Sequence, residues 1–197
     1  MEKSKIIFDT DCLSSFLWVQ EERLLTSLFD DRIFIPDAVV YEINNLKDTK
    51  HGNTVYQRFQ EMVSNKLVNI LPIEVGTPQA KLVEDIKTKY LNEYNQTLGN
   101  GELHMIALAI HLNAAYVTHT ASNNLKDISS FIEDGSITNI TTMDILCHAM
   151  KKSLKTLPEL EKIKNDMLIK KRRLPDISIE NYYKENYTKK WSPDNSI

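Results

Sequence analysis

The sequence predicts an α/β protein: three layers with a central parallel sheet between helices, followed by a helical, basic C-terminal extension. Three observations carry that class. Apolar runs such as Ile6-Ile7-Phe8 are short and continuous rather than alternating, which marks strands buried on both faces. These runs alternate with amphipathic stretches of helical spacing along the chain, as parallel neighbours require, and such crossovers are right-handed. Strands repeatedly end at polar or acidic groups, and the carboxyl edge of a parallel sheet is where ligands bind.

The first strand ends abruptly at Asp9, and Thr10 or Asp11 is a suitable N-cap for a helix from Cys12 to Val19. A second helix covers Glu21 to Phe29, and Arg32 to Ile35 is a short strand closed by Pro36. Pro36 or Asp37 opens a helix to Leu46 whose apolar stripe is Val39, Val40, Ile43 and Leu46, with Glu42 beside that stripe. A polar loop to Thr54, a helix from Val55 to Asn65 and a strand from Leu67 to Leu71 follow. Thr77-Pro78 pairs an N-cap with proline at the first position and starts a helix to Tyr94. The loop Leu98-Gly99-Asn100-Gly101-Glu102 enters the most apolar helix, Leu103 to Leu112, with Glu102 in the first turn, where the macrodipole stabilises a carboxylate. Ala114 to Thr120 reads as the fourth strand, Asn123 or Asn124 as the cap of a helix through Phe131, and Ser136 to Ile140 as the fifth strand. Thr141 or Thr142 caps a helix to Lys152, and Leu157-Pro158 starts another that ends near Arg173, before Pro175. Beyond it, Tyr182, Tyr183, Tyr187 and Trp191 stand among charges with weak periodicity, an arm that orders only against something.

A length of 197 residues with 42% apolar side chains suits one domain, residues 1–150, with an appendage, residues 151–197. Cys12 and Cys147 are far apart, in no CxxC spacing, and no secretory leader precedes them, so a reducing, cytoplasmic setting is expected. No apolar run approaches the length of about 18 residues that a spanning helix needs. The net charge of −3 is unevenly divided: residues 1–150 carry −8 and residues 151–197 carry +5. An acidic body suits a site that gathers divalent cations, and a basic extension suits phosphate backbones or an acidic partner, unless it is simply a solvated helix face.

Several chemistries are excluded by missing motifs: there is no GxxxxGK[ST], no HExxH and no GxSxG. Gly99-Asn100-Gly101 lacks the third glycine of a dinucleotide fingerprint, since position 104 is His, and no strand directly precedes it. Histidines at 51, 104, 111, 119 and 148 show no metal spacing on one helix face apart from His104 and His111, and read as surface or satisfied residues. Carboxylates remain: Asp9, Glu42, Glu102 and the polar cluster after the fourth strand. Oxygen-only donors favour Mg²⁺ or Mn²⁺, ions that activate water and stabilise charge on a phosphoryl group. The plainer reading is that Asp9 and Asp11 only cap a helix and that Glu102 only answers its dipole.

The order Ile-Ile-Phe-Asp9-Thr-Asp11, then Ile-Pro-Asp-Ala-Val-Val-Tyr-Glu42-Ile, then Gly101-Glu102 before Met-Ile-Ala-Leu-Ala, resembles the PIN-domain nucleases over about residues 4 to 145. The resemblance implies a parallel sheet with acids meeting at its carboxyl edge, one or two Mg²⁺ or Mn²⁺ ions, and hydrolysis of single-stranded RNA or flapped nucleic acid. Carried over, Asp9 and Glu102 are metal ligands, and Glu42 is a ligand directly or through water. The departure follows the fourth strand, where the family has an acid after Thr or Ser and Asn123 or Asn124 fills the place. Asp127, about one turn into the next helix, is placed to reach back as a replacement catalytic and metal-binding acid; the alternatives are that Asn123 ligates weakly through its amide oxygen, or that Asp127 is a solvated helix residue and the asparagines only cap. Asp11, Thr118, Asn123 and Asn124 are expected as supporting groups or weak ligands. Lys170, Lys171, Arg172 and Arg173 are expected to hold phosphates, with Tyr182 and Trp191 stacking on unpaired bases. Small bacterial members of the family resemble toxins of toxin–antitoxin pairs, so the expected partners are single-stranded RNA, an antitoxin protein and a second copy of the chain, with no membrane. Two functions stay open: a metal-dependent endoribonuclease, and a PIN-like binding module whose catalysis has lapsed.

Overall fold

The structure, a computed structural model, describes residues 4–50 and 52–191. Five strands, β1 (Lys5–Phe8), β2 (Ile33–Pro36), β3 (Asn69–Leu71), β4 (Thr118–Ala121) and β5 (Thr138–Ile140), form one sheet in the order β3-β2-β1-β4-β5. All four pairings are parallel. The position of each strand follows from its sequence. Ile6, Ile7 and Phe8 are fully buried, so β1 takes the centre, whereas β3 exposes Asn69 and Ile70 and forms an edge.

Nine helices connect and cover the strands among the described residues: α1 (Thr10–Trp18), α2 (Glu22–Phe29), α3 (Asp37–Asn44), α4 (Gly52–Ser64), α5 (Pro78–Tyr94), α6 (Asn100–Asn113), α7 (Leu125–Glu133), α8 (Thr142–Lys151) and α9 (Leu157–Ile169). Short helical turns follow from Ile179 to Lys190. Side chains alternate across β1, and the two faces build separate cores. Ile6 and Phe8 pack with α1, α2, α4 and α8, whereas Ile7 packs with α5, α6 and α7. This is the doubly wound arrangement that the sequence predicts. No helix of the described residues is long and apolar enough to cross a membrane.

Starting from β1, the chain builds outward first to β2 and β3, then returns to add β4 and β5 on the other side. The switch leaves a crevice at the carboxyl ends of β1 and β4. Its register is fixed: Phe8 lies opposite Ala121, and Asp9 N–H donates to Ala121 O at 3.0 Å. Asp9 and Ser122 are therefore the first residues beyond the paired strands.

Two boundaries differ from expectation by as much as four residues. The fourth strand begins at Thr118 rather than Ala114, because α6 runs on to Asn113 and both Ala115 and Tyr116 donate to Leu112 O in its closing turn. Helix α9 stops at Ile169 rather than near Arg173, and Lys171 takes a left-handed φ of 58°. The C-terminal arm does order against something, namely α8 and α9 of its own body. Ile179, Tyr187 and Trp191 are buried in the same core as Leu146 and Met167. Lys190 Nζ lies 2.6 Å from Asp144 Oδ2, and the Tyr187 hydroxyl 2.8 Å from His148 Nδ1.

Candidate active site

Asp9 itself, rather than Thr10 or Asp11, is the N-cap of α1. Its backbone is extended, and Oδ1 accepts the Cys12 N–H at 2.6 Å. Asp9 is only 3% exposed. Burial pushes its carboxyl up to about 7; hydrogen bonds from Ser122 and the Cys12 N–H pull against that, while the charges of Asp11 and Glu102 add to it. Capping alone does not call for a carboxylate buried among like charges, since an asparagine caps equally well.

Glu42 reaches the same place from α3. The Thr10 hydroxyl donates to its Oε2, and the Gly101 N–H to its Oε1 at 2.9 Å. This close approach explains a glycine at 101: a Cβ there would lie 3.0 Å from both carboxylate oxygens of Glu42. Glu102, one residue on, turns back over the start of α6 and accepts the Gly99 N–H at 3.1 Å. Its other oxygen accepts from the Asn124 amide at 2.6 Å. Burial raises the Glu102 carboxyl, the Asn124 and Gly99 bonds lower it, and the charges of Asp127 and Glu42 raise it again.

Asp9, Asp11, Glu42 and Glu102 thus line one cavity of about 160 Å³, together with Thr10, Gly99 and Gly101. Among the described residues, no three His, Cys, Asp or Glu side chains stand close enough to hold an ion between them. The donor chemistry nonetheless fits a hard divalent cation, because every side-chain donor is an oxygen. The like charges that raise Asp9 and Glu102 are those such a cation would relieve.

The segment after β4 differs from expectation residue by residue. Thr118 stands at the opposite end of the strand, where its hydroxyl donates to Tyr116 O, so it cannot support the acids. Asn123 does not face them either: Oδ1 accepts the Thr142 N–H and Nδ2 donates to the Thr142 hydroxyl, both at 2.9 Å. Asn124 is the N-cap residue of α7 without a side-chain capping bond, and its amide donates to Glu102 and, at 2.5 Å, to Asp127 Oδ2. Asp127 therefore lies outside the residues lining the cavity and is tied to Glu102 through Asn124. The residue that sequence reasoning missed is Ser122, fully buried, whose hydroxyl accepts the Asn124 N–H at 3.1 Å and sits near enough to Asp9 to pull its carboxyl down. Asn139 on β5 clamps its backbone, accepting from Ser122 N at 3.1 Å and donating to Ser122 O at 3.0 Å. The signal for it was sheet register, since the strand reaches Ala121 and the next residue must face Asp9.

Of the basic residues, Lys170, Lys171 and Arg173 are exposed in the turn after α9. Arg172 folds back: Nη1 lies 3.2 Å from Asp11 Oδ1, and its guanidinium sits over the Trp18 ring. The aromatic residues are placed otherwise than expected. Trp191 is 5% exposed against His119, and Tyr182 is half-buried with its hydroxyl donating to Asp144, so neither ring is free to stack on a base. His119 also departs from expectation, being buried with neither ring nitrogen partnered among the described residues. His51 lies outside the described residues.

A family model described as a PIN domain, DUF3368, matches residues 5–185. No curated protein sequence matches the chain. Ten chains of solved structures match it. One is a chain of the crystal structure of DNA-bound VapBC from Salmonella typhimurium, with a TM-score of 0.52 and 16% identity over 71% of this chain and 99% of that one. At that identity the likeness is one of fold.

Proposed function

Because the chain belongs to the PIN-domain family, we propose that it is a divalent-metal-dependent endoribonuclease that hydrolyses phosphodiester bonds of single-stranded RNA. One observation carries the reading: Asp9, Glu42 and Glu102, from three separate segments, line a single small cavity at the switch point of the sheet. Those acids would supply oxygens to Mg²⁺ or Mn²⁺, some directly and the rest through the waters such an ion keeps, with Asp11 on the rim. When bound, the ion would supply an activated water and neutralise charge developing on the phosphoryl oxygens.

The chain's own groups hold the acids in place. The Cys12 N–H fixes Asp9, the Gly101 N–H and the Thr10 hydroxyl fix Glu42, and Gly99 and Asn124 fix Glu102. Arg172 beside Asp11 brings positive charge to the rim, and with Lys170, Lys171 and Arg173 it offers a path for the RNA backbone. The fold likeness to DNA-bound VapBC supports a place as the toxin of a toxin–antitoxin pair. The test is cleavage of labelled single-stranded RNA by the purified chain with Mn²⁺, Mg²⁺ or chelator. Cleavage is expected with either ion and not with chelator, and is expected to vanish in Asp9→Asn while the fold is retained.

A second reading, a PIN-like binding module, is favoured by Ser122, whose neutral hydroxyl stands next to Asp9 where another carboxylate would complete the ring of acids. RNA binding without cleavage under every cation, together with cleavage by Ser122→Asp, would establish it.

A further inference from the structure

Beside the acidic cavity lies a larger cleft, of about 430 Å³, between α3, α5 and α6, with Glu42 as the shared wall. We infer that this cleft seats the unpaired base adjoining the phosphodiester on which the acids act, stacking it on Tyr41 and reading its amino group with Glu84. The inference rests on the nuclease reading for which phosphodiester is meant, but the binding it describes is separate from cleavage.

Size and shape come first. A volume of about 430 Å³ is that of a small-ligand pocket and leaves room for a base with its sugar. Tyr41 lines it and is 67% exposed, a large ring that the protein's own packing does not use. Glu42 lines both this cleft and the acidic cavity, so a base on Tyr41 would lie beside the acids. Leu103 and Val83 supply apolar surface in the same cleft.

Charge then decides which part of a nucleotide enters. Asp37, Glu42 and Glu84 outnumber Lys87 and His104 in the lining, so the cleft suits a base better than a phosphate. Most of these groups are already committed. Asp37 accepts the N–H groups of Ala38 and Ile73 and faces His104 Nδ1 at 2.8 Å, and Glu42 is held as described above. Glu84 has no hydrogen-bond or ion-pair partner among the described residues and is the carboxylate left to accept from an exocyclic amine. Adenine, cytosine and guanine carry that amine and uracil does not, so uracil is the base this cleft disfavours.

The experiment uses the full chain in chelator, so that nothing is cut, with short single-stranded RNA carrying 2-aminopurine at successive positions. At one position the fluorescence is expected to be quenched by stacking in wild type and in Tyr41→Phe. In Tyr41→Ala the quench is lost and affinity falls about tenfold, the scale of one stacked base. Glu84→Gln is expected to narrow the preference for oligo(A) and oligo(C) over oligo(U). Tyr41 is exposed, so a thermal melt unchanged in Tyr41→Ala checks that the variant is folded. Unchanged quench and affinity in Tyr41→Ala would overturn the base site and leave the cleft to a protein partner. Quench without any cleavage when Mn²⁺ is restored would overturn the nuclease reading and leave the base site standing.

Discussion

Placing Asp at position 122 would bring a second carboxylate against the buried carboxyl of Asp9, and the two charges would compete for one dry place. In chelator, Ser122→Asp is therefore expected to lower stability by about 2 kcal/mol, the ordinary scale of a poorly compensated buried polar group. Millimolar Mn²⁺ is expected to restore it, because a cation gains a further anionic oxygen there, and the recovery should exceed any shift that Mn²⁺ gives the natural chain. Thermal melts with and without metal measure both. Equal destabilisation with and without Mn²⁺ would mean that no ion binds between residues 9 and 122. At Asn123 the expectation is different: its amide is wholly engaged with Thr142, so Asn123→Asp would set a carboxylate oxygen against the Thr142 hydroxyl and leave cation affinity unchanged.

At the scale of elements, the sheet and its crossovers were legible because continuous apolar runs and helical stripes are local signals that burial rewards directly. The three acids were legible for a related reason, since each stands at an element boundary, where capping chemistry and turn residues punctuate the chain. What escaped was whatever depends on register between strands distant in sequence. Ser122 faces Asp9 only because Phe8 pairs with Ala121, and the aromatic arm was misread because its partners, His119, Asp144 and His148, belong to β4 and α8. The start of α6 shows how local preference yields to such a contact. Glycine inside a helix costs about 1 kcal/mol relative to alanine, yet position 101 is glycine because Glu42 fills the space a Cβ would take. Gly101→Ala is thus expected to keep or slightly raise the melting temperature while displacing the Glu42 carboxylate, raising the Mn²⁺ concentration for half-maximal cleavage about tenfold, the scale of losing a ligand's close support. A rise in stability with no change in metal requirement would show that Glu42 shifts freely and that its position is not critical.

Across the whole molecule, burial acts in opposite directions on two kinds of titrating group. His119 and His148 are buried, and both are pulled down to about 4 from 6.5, first by burial and then by positive neighbours: Arg32 and Lys190 for His119, and Lys152, Lys151 and Arg32 for His148. Between pH 6.5 and 4 the unfolded chain binds more protons at these sites than the folded chain does, so their effect is to lower stability as pH falls. Each shift is worth up to about 3 kcal/mol by the time the pH reaches 4. Asp9 runs the other way. Its carboxyl is raised from 3.8 to about 7, so the folded chain holds the extra proton across that window, and stability rises as pH falls through it, by up to about 4 kcal/mol. In chelator Asp9 offsets only part of what the two histidines cost, and the natural chain is expected to lose about 2 kcal/mol between pH 7 and 4. Asp9→Asn keeps the acceptor for the Cys12 N–H but removes the opposing titration. It is therefore expected to be the more stable protein at pH 8 and to lose stability far more steeply toward pH 4, the difference in slope reporting Asp9 together with the acids coupled to it, Asp11 and Glu102. Denaturant unfolding at a series of pH values measures that difference. Parallel curves for the two proteins would mean that Asp9 is already ionised at mid-range pH, and the raised carboxyl inferred from its burial would be wrong.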